Sequence, residues 1–182
     1  SFIIKKGSFN CIVGKSGVGK TTLLDLISGL LTPSKSEFLI DGIKIINSPL
    51  KLNQKISFVH QNFFLFNDTI KKNICFLEKE SEIDTLKLNR IIEICELKNL
   101  LESLPDKLNT IIGERGAKLS GGERQRLSIA RALYLDAEIV LLDEATNALD
   151  KETEDRILNN LKSEYHGKKT FIMVLHKILD KS

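Results

Sequence analysis

The chain has 182 residues, 42% of them hydrophobic and 28% charged, a composition that fits one soluble globular domain with a sizeable core. Lysine and arginine outnumber the acids 27 to 24, and a net charge of +3 is too small to argue for nucleic acid or an anionic membrane surface. Three widely spaced cysteines, Cys11, Cys75 and Cys95, form no C-x-x-C pair, which argues against a zinc site or disulfide framework and for a reduced, cytosolic setting.

Phe9 to Val13 reads as a short buried strand. A glycine-rich loop follows, and then a helix from Lys20 to about Gly29 with Leu23, Leu24, Ile27 and Leu30 at helical spacing. Gly29 and Pro33 end it. Phe38-Leu39-Ile40, Asp41-Gly42 and Ile43 predict a hairpin with an Asp-Gly turn. Ile56 to Val59 is a further strand, ending at His60 and Gln61. Helices are expected over Thr69–Ile74, Asp84–Cys95 and Leu97–Ser103, and Pro105 breaks the run. Ser120 opens a helix to about Tyr134, an acid-tipped strand follows, Lys151 to Glu164 is helical, and Lys169 to Leu175 is a last strand before His176. Apolar strands alternating with helices predict a mostly parallel sheet covered on both faces, with the helical middle as an insertion.

The loop Gly14-Lys15-Ser16-Gly17-Val18-Gly19-Lys20-Thr21 fits G-x-x-x-x-G-K-S/T at every fixed position and joins a strand to a helix. Glycines let backbone N–H groups converge on one point, and the helix N-terminus adds its positive end. Lys20 can reach the β- and γ-phosphates, and the Thr21 hydroxyl can meet Mg²⁺. Thr22 completes the candidate nucleotide-binding run. A chance glycine turn is the bland alternative, and the strand–loop–helix context argues against it.

Asp143 and Glu144 follow Ile139-Val140-Leu141-Leu142, which puts them at the carboxyl end of a buried strand, where α/β folds place ligands. Asp143 suits Mg²⁺, directly or through water, and Glu144 suits proton abstraction from an attacking water. Acids at a strand end are often solvated loop residues. Beside a complete phosphate loop that reading loses ground.

Ser120 and Glu123 fit a capping box before an apolar-periodic helix. Gly121 and Gly122 also leave backbone N–H groups uncovered at a positive helix end, which would attract a γ-phosphate. The lysine loop already occupies one side of the nucleotide. A second anion site therefore implies a second nucleotide, or a partner chain's nucleotide.

Taken together, these motifs resemble the ATP-binding cassette (ABC) family over essentially the whole chain. Gly14 to Thr21 resembles its Walker A loop, Gln61 its Q-loop, and Leu119 to Gln125 (LSGGERQ) its signature. Ile139 to Glu144 is similar to Walker B, Ala148-Leu149-Asp150 to the D-loop, and His176 to the switch histidine. Gly113-Glu114-Arg115-Gly116 is similar to the X-loop of exporters, as Leu65 to Ile74 is to their F-x-x-T-I-x-x-N-I segment; Asn147-Ala148-Leu149-Asp150 reads as S-A-L-D with Asn for Ser. Importer subunits and ABC proteins of DNA repair or translation usually lack this combination. Leu104 to Asp150 looks most like exporters of lipids, lipid-linked oligosaccharides and drugs.

The resemblance implies a P-loop NTPase core with a mostly parallel sheet flanked by helices, over residues 1–60 and 136–182, and a helical subdomain over about 62–135. It implies two such domains binding two ATP head to tail, as a homo- or heterodimer, on the cytoplasmic face of a membrane below a transmembrane domain. Lys20, Thr21, Gln61, Asp143, Glu144 and His176 would act from one chain, and Ser120, Gly121, Gly122 and Asp150 from the other. Catalytic roles fall to Glu144, His176, Gln61 and Lys20, and Mg²⁺ contacts to Thr21, Gln61 and Asp143. Phe58, Phe63, Phe64 and Phe66 flank Gln61. Some belong to the core, and Phe63, Phe64 and Phe66 are alternatively the lining of a groove for a helix of the membrane domain.

There are departures from the family. The chain has no membrane-length apolar run and no visible signal peptide, opens at Ser1 and stops soon after an apolar strand, which suggests a piece cut at both ends. The family's adenine-stacking aromatic and part of its antiparallel outer strands would lie upstream. Lys177 and Glu123 stand where Arg and Gln are commoner. A hydrolysis-deficient ATP-binding partner and a soluble ABC ATPase are the rival readings. Glu144, His176 and Ser120 argue against the first, and the X-loop-like segment and weak charge against the second.

Overall fold

The structure, a computed structural model, describes residues 3–32, 39–40, 42–44 and 55–175. Its frame is a sheet of β1 (Phe9–Val13), β4 (Ile56–Val59), β5 (Ile139–Asp143) and β6 (Thr170–Leu175). The order is β1-β6-β5-β4 and every pairing is parallel. A separate pair, β2 (Leu39–Ile40) and β3 (Ile43–Lys44), is antiparallel across Gly42, as the Asp-Gly signal predicts. Phe38 and Asp41 of that expected hairpin lie outside the described residues, as do Pro33 and the stretch 176–182.

Side chains alternate across a strand, and the two central strands bury both sets. Val140, Leu142, Phe171 and Met173 join one apolar cluster, while Leu141, Ile172 and Val174 join another with Leu24 and Ile27 of α1 (Lys20–Ser28). The first cluster continues without a break into the helical middle, α2 (Ile70–Ile74), α3 (Thr85–Ile94) and α4 (Lys98–Ser103), and into α5 (Gly121–Tyr134) and α6 (Lys151–Tyr165). Burying apolar surface at about 25 cal/mol per Å² makes this two-sided packing the main stabilising term.

Four of these helices begin on a side-chain oxygen that accepts a backbone N–H of the first turn: Thr69 for α2, Asp84 for α3, Ser120 for α5 and Asp150 for α6. Ser120 and Glu123 complete the expected capping box, with Ser120 N–H donating to Glu123 Oε2 at 2.7 Å. The exception that matters is α1. Its leading residue, Gly19, is left-handed at φ 95° and offers no side chain, so the first amides of α1 carry no cap. The helix stops at Gly29, left-handed at φ 80°, in agreement with the expected end.

The helical middle also holds three 3-10 turns, Glu80–Glu82, Lys107–Asn109 and Glu114–Gly116, that hydrophobic periodicity does not announce. The last contains Arg115 in the left-handed region at φ 52°. This segment docks back on the approach to α2, where Ile112 N–H donates to Asp68 O and Ile70 N–H to Thr110 O, both at 3.1 Å.

Candidate functional site

Parallel pairing decides where the motifs meet. In register, Val13 faces Leu175, Asp143 faces Val174, and Val59 faces Leu142. The carboxyl ends of the four strands therefore share one edge. The loop after β1 is Gly14 to Gly19, the turn after β5 begins at Glu144, and Gln61 follows β4 by two residues. Three segments distant in sequence are thus delivered to the same edge, as α/β sheets deliver ligand-binding groups.

In the loop after β1, Lys20 is buried to 8% exposure, while the residues from Lys15 to Gly19 and both Thr21 and Thr22 are exposed. The Lys20 ammonium donates to Gly14 O at 2.8 Å and Lys15 O at 3.0 Å. It therefore lies within the curve of the loop. The left-handed φ of Gly19 lets the loop enter the helix at a position where a Cβ would be strained. The result is an exposed ring of backbone, an uncapped helix start and the Lys20 ammonium within the curve, a combination suited to phosphate.

Asp143 ends β5 at 1% exposure, and neither carboxylate oxygen has a hydrogen-bond partner among the described residues. Two orphaned acceptors at a strand end are costly unless a cation or donor meets them. That donor set fits Mg²⁺, which takes one or two carboxylates and completes its shell with water and phosphate. Among the described residues there is no group of three or more His, Cys, Asp or Glu that could hold a metal ion.

The next residue behaves differently. Glu144 leaves the strand in the left-handed region at φ 53°, which turns its side chain away from the direction the strand would give. Its Oε2 accepts from Gln61 Nε2 at 2.8 Å and from Asn147 Nδ2 at 2.7 Å. Its N–H donates to Val174 O at 3.3 Å, and its carbonyl accepts from Asn147 N–H at 3.2 Å and Gln125 Nε2 at 3.3 Å. Two adjacent acids thus have opposite surroundings, one bare and buried, the other held by amides.

A concavity of about 300 Å³ lies at the start of α5 against the turn that precedes α6. Ser120, Gly121 and Gly122 line one side, and Ala148, Leu149 and Asp150 the other. The two sides approach so closely that a Cβ on Gly122 would sit 3.2 Å from Ala148 O and 3.3 Å from a Leu149 methyl. A side chain there would press on Ala148 and Leu149 and require them to give by a few tenths of an ångström. Asp150 Oδ1 accepts from Thr153 N–H at 2.9 Å, and that bond holds its carboxyl below the usual carboxylate range. Between the two places stands Gln125, 9% exposed, bridging from Glu144 O to Ala148 N–H.

Lys20, Gln61, Asp143 and Glu144 therefore meet at one edge of the sheet, and Ser120, Gly121, Gly122 and Asp150 line the separate concavity. His176 lies outside the described residues. Among the aromatics near Gln61, Phe63 packs on the core and Phe58 stacks on His60 at 3.7 Å, while Phe64 and Phe66 are exposed. The exposed set continues to Phe76, 5.8 Å from Phe66, and not to Phe63. Of the three aromatics offered as groove lining, Phe63 is partly buried against the core, and Phe64 and Phe66 are exposed. Sequence reasoning gave no role to Gln125 or to the Asn147 side chain. An Asn three residues beyond an acid in a turn is the signal that could have found the latter.

The chain is similar to known proteins in sequence and in fold. A family model described as "ABC transporter" matches residues 1–147. An "ATP-dependent lipid A-core flippase" of Ralstonia nicotianae is 41% identical over 177 residues, covering 96% of this chain and 30% of the relative. A "Mycobactin import ATP-binding/permease protein" of Mycobacterium bovis is 39% identical over 179 residues, covering 98% of this chain and 30% of the relative. Among solved structures, a bacterial Atm1-family ABC exporter with ATP bound superposes with a TM-score of 0.86 at 36% identity, over 94% of this chain and 30% of the other. The chain thus spans about 30% of the length of these relatives. Among the described residues no helix is long and apolar enough to cross a membrane.

Proposed function

The chain belongs to the ABC transporter family, and on that premise we propose that it is the motor portion of an exporter-type member, binding ATP with Mg²⁺ and hydrolysing it. The observation that carries this reading is the convergence of the Gly14–Thr21 loop, Asp143, Glu144 and Gln61 at one carboxyl edge of a parallel sheet. Its division into a nucleotide-binding core, over 1–60 and 136–182, and a helical subdomain over about 62–135 belongs to the same proposal.

The backbone of residues 14–19, the first amides of α1 and the Lys20 ammonium would hold the phosphates. Mg²⁺, held by Asp143, Thr21 and Gln61, would neutralise charge on the phosphates. Water oxygen bonds to the γ-phosphorus and the bond from that phosphorus to the bridging oxygen breaks. Glu144 takes the proton of the water, and ADP and phosphate leave. His176, which follows β6 in sequence, would steady the γ-phosphate. Positioning and electrostatics supply the rate, as in phosphoryl transfer generally.

The concavity at Ser120 and Asp150 is separate from the lysine loop, which supports a role toward a second chain's ATP in a head-to-tail pair. That pair, a transmembrane partner and a place on the cytoplasmic face complete the proposal. The relatives are by name a flippase, an import protein and an exporter, so cargo and direction fall to the part of those proteins that this chain does not span. No nucleic-acid partner is part of this reading.

The test is Mg-ATP turnover of the intact protein beside Lys20→Met. Turnover in the wild type and its loss in the variant supports the reading. No wild-type turnover, or equal rates, overturns it.

A further inference from the structure

We propose that Asn147 is a positioning residue for the hydrolytic step, fixing the Glu144 carboxylate from within its own turn. The inference rests on the ATP-hydrolysis reading and adds to it a residue that reading does not use. Asn147 grips Glu144 twice: its side-chain Nδ2 donates to Oε2 at 2.7 Å, and its backbone N–H donates to the Glu144 carbonyl at 3.2 Å. The second bond closes the turn over Ala145 and Thr146 and so keeps Asn147 beside Glu144, whose own backbone is left-handed at φ 53°. The first sets the direction of the carboxylate that leaves that backbone.

Gln61 donates to the same oxygen at 2.8 Å, yet it comes from the far side of the sequence, beyond β4. The proposed Mg²⁺ role would draw Gln61 toward the metal and away from Oε2. Asn147 sits three residues along the same turn and moves with Glu144. It is therefore a donor that persists when Gln61 changes partner. Loss of Asn147 leaves the carboxylate able to rotate away from the water, and small misplacements of a reacting group are expensive in rate. An aspartate at 147 has the same shape and turn preference, but it presents an oxygen where a donor is needed and repels Glu144. That makes Asn147→Asp the discriminating change.

The experiment is steady-state ATP turnover of the intact protein as wild type, Asn147→Ala and Asn147→Asp, each also in a Glu144→Gln background. Both variants are expected to lose roughly tenfold to a hundredfold in kcat, Asp more than Ala, with the KM for ATP within about twofold of wild type. In the Glu144→Gln background Asn147→Asp should change residual turnover by less than about twofold, because the two act as a unit. Wild-type kcat in Asn147→Asp overturns the inference, as does a loss confined to KM or a full further loss in the Glu144→Gln background. Absence of turnover in the wild type overturns instead the reading beneath it.

Discussion

The side-chain carbonyl of Gln125 accepts the backbone N–H of Ala148 at 2.7 Å, 23 residues along the chain. Its amide nitrogen donates to Glu144 O at 3.3 Å. One buried amide therefore ties α5 to the turn between Glu144 and Asp150 at two points, Glu144 and Ala148. The backbone of the residue proposed to take a proton and the Ala148 wall of the concavity are joined through it.

Gln125→Leu keeps comparable bulk and removes both bonds. It leaves the Ala148 N–H without this acceptor, which should lower stability by about 1–3 kcal/mol. Urea unfolding of the two proteins reads the difference. Equal midpoints would mean that the bridge contributes nothing to holding the turn.

Ser120 serves as a helix cap and lines the concavity, so two substitutions separate its roles. Ser120→Asp keeps an oxygen for Glu123 N–H and should leave unfolding midpoints near wild type. It places an anion where a partner's γ-phosphate is proposed and should abolish ATP-dependent pairing. Ser120→Arg should also spare ATP binding to one chain while blocking pairing, at a further cost of about 0.5–2 kcal/mol for the lost cap. Loss of ATP binding to the single chain would show that Ser120 does not act across an interface.

Asn73 is fully buried, and its side chain accepts from Phe66 N–H at 2.9 Å and Arg131 at 2.7 Å while donating to Phe66 O and Thr69 O at 3.0 Å. Arg131 in turn donates to Phe64 O at 2.6 Å and lies 5.1 Å from the Phe66 ring and 5.4 Å from the Phe76 ring. Burial pushes the Arg131 guanidinium down to about 10. Asn73→Leu deprives a partly buried cation and several backbone groups of partners, and should destabilise by about 3 kcal/mol or more. A change under about 1 kcal/mol in denaturant titration would contradict this network's importance.

Asp136 accepts from Lys169 at 2.7 Å, and that bond holds its carboxyl below the usual range despite 71% exposure of the side chain. A depressed folded-state value stabilises above the unfolded carboxylate pKa of about 3.9 and is lost as pH falls through the lower folded value. Asp136→Asn, suited to the left-handed φ of 57° there, should cost under about 1 kcal/mol at neutral pH, as exposed pairs do. The gap to wild type should close on acidification. A gap independent of pH would rule out the ion pair as its source.

Much of this molecule is legible in its residues because local chemistry and global packing agree. Strand β5 is four apolar residues and an acid, and it is buried as that pattern requires. The Gly14–Thr21 loop joins a strand to a helix whose leading glycine can offer no cap. What sequence could not supply is contact between segments far apart. Nothing in the spacing of Gln61 and Glu144 places them 2.8 Å apart; parallel pairing of β4 with β5 does. Periodicity also missed the three 3-10 turns, since two of them hold no buried side chain and the third is fixed by backbone bonds. Phe63 and Phe64 are neighbours of one residue type, and only tertiary packing sends the first inward.

The central claim is that Glu144 takes the proton of the attacking water in a site completed by a second chain. Glu144→Gln in the intact protein tests it most directly, by ATP binding, pairing and turnover measured together. ATP should remain bound, pairs should persist, and turnover should fall on the order of a hundredfold to ten-thousandfold. Turnover at the wild-type rate would contradict it.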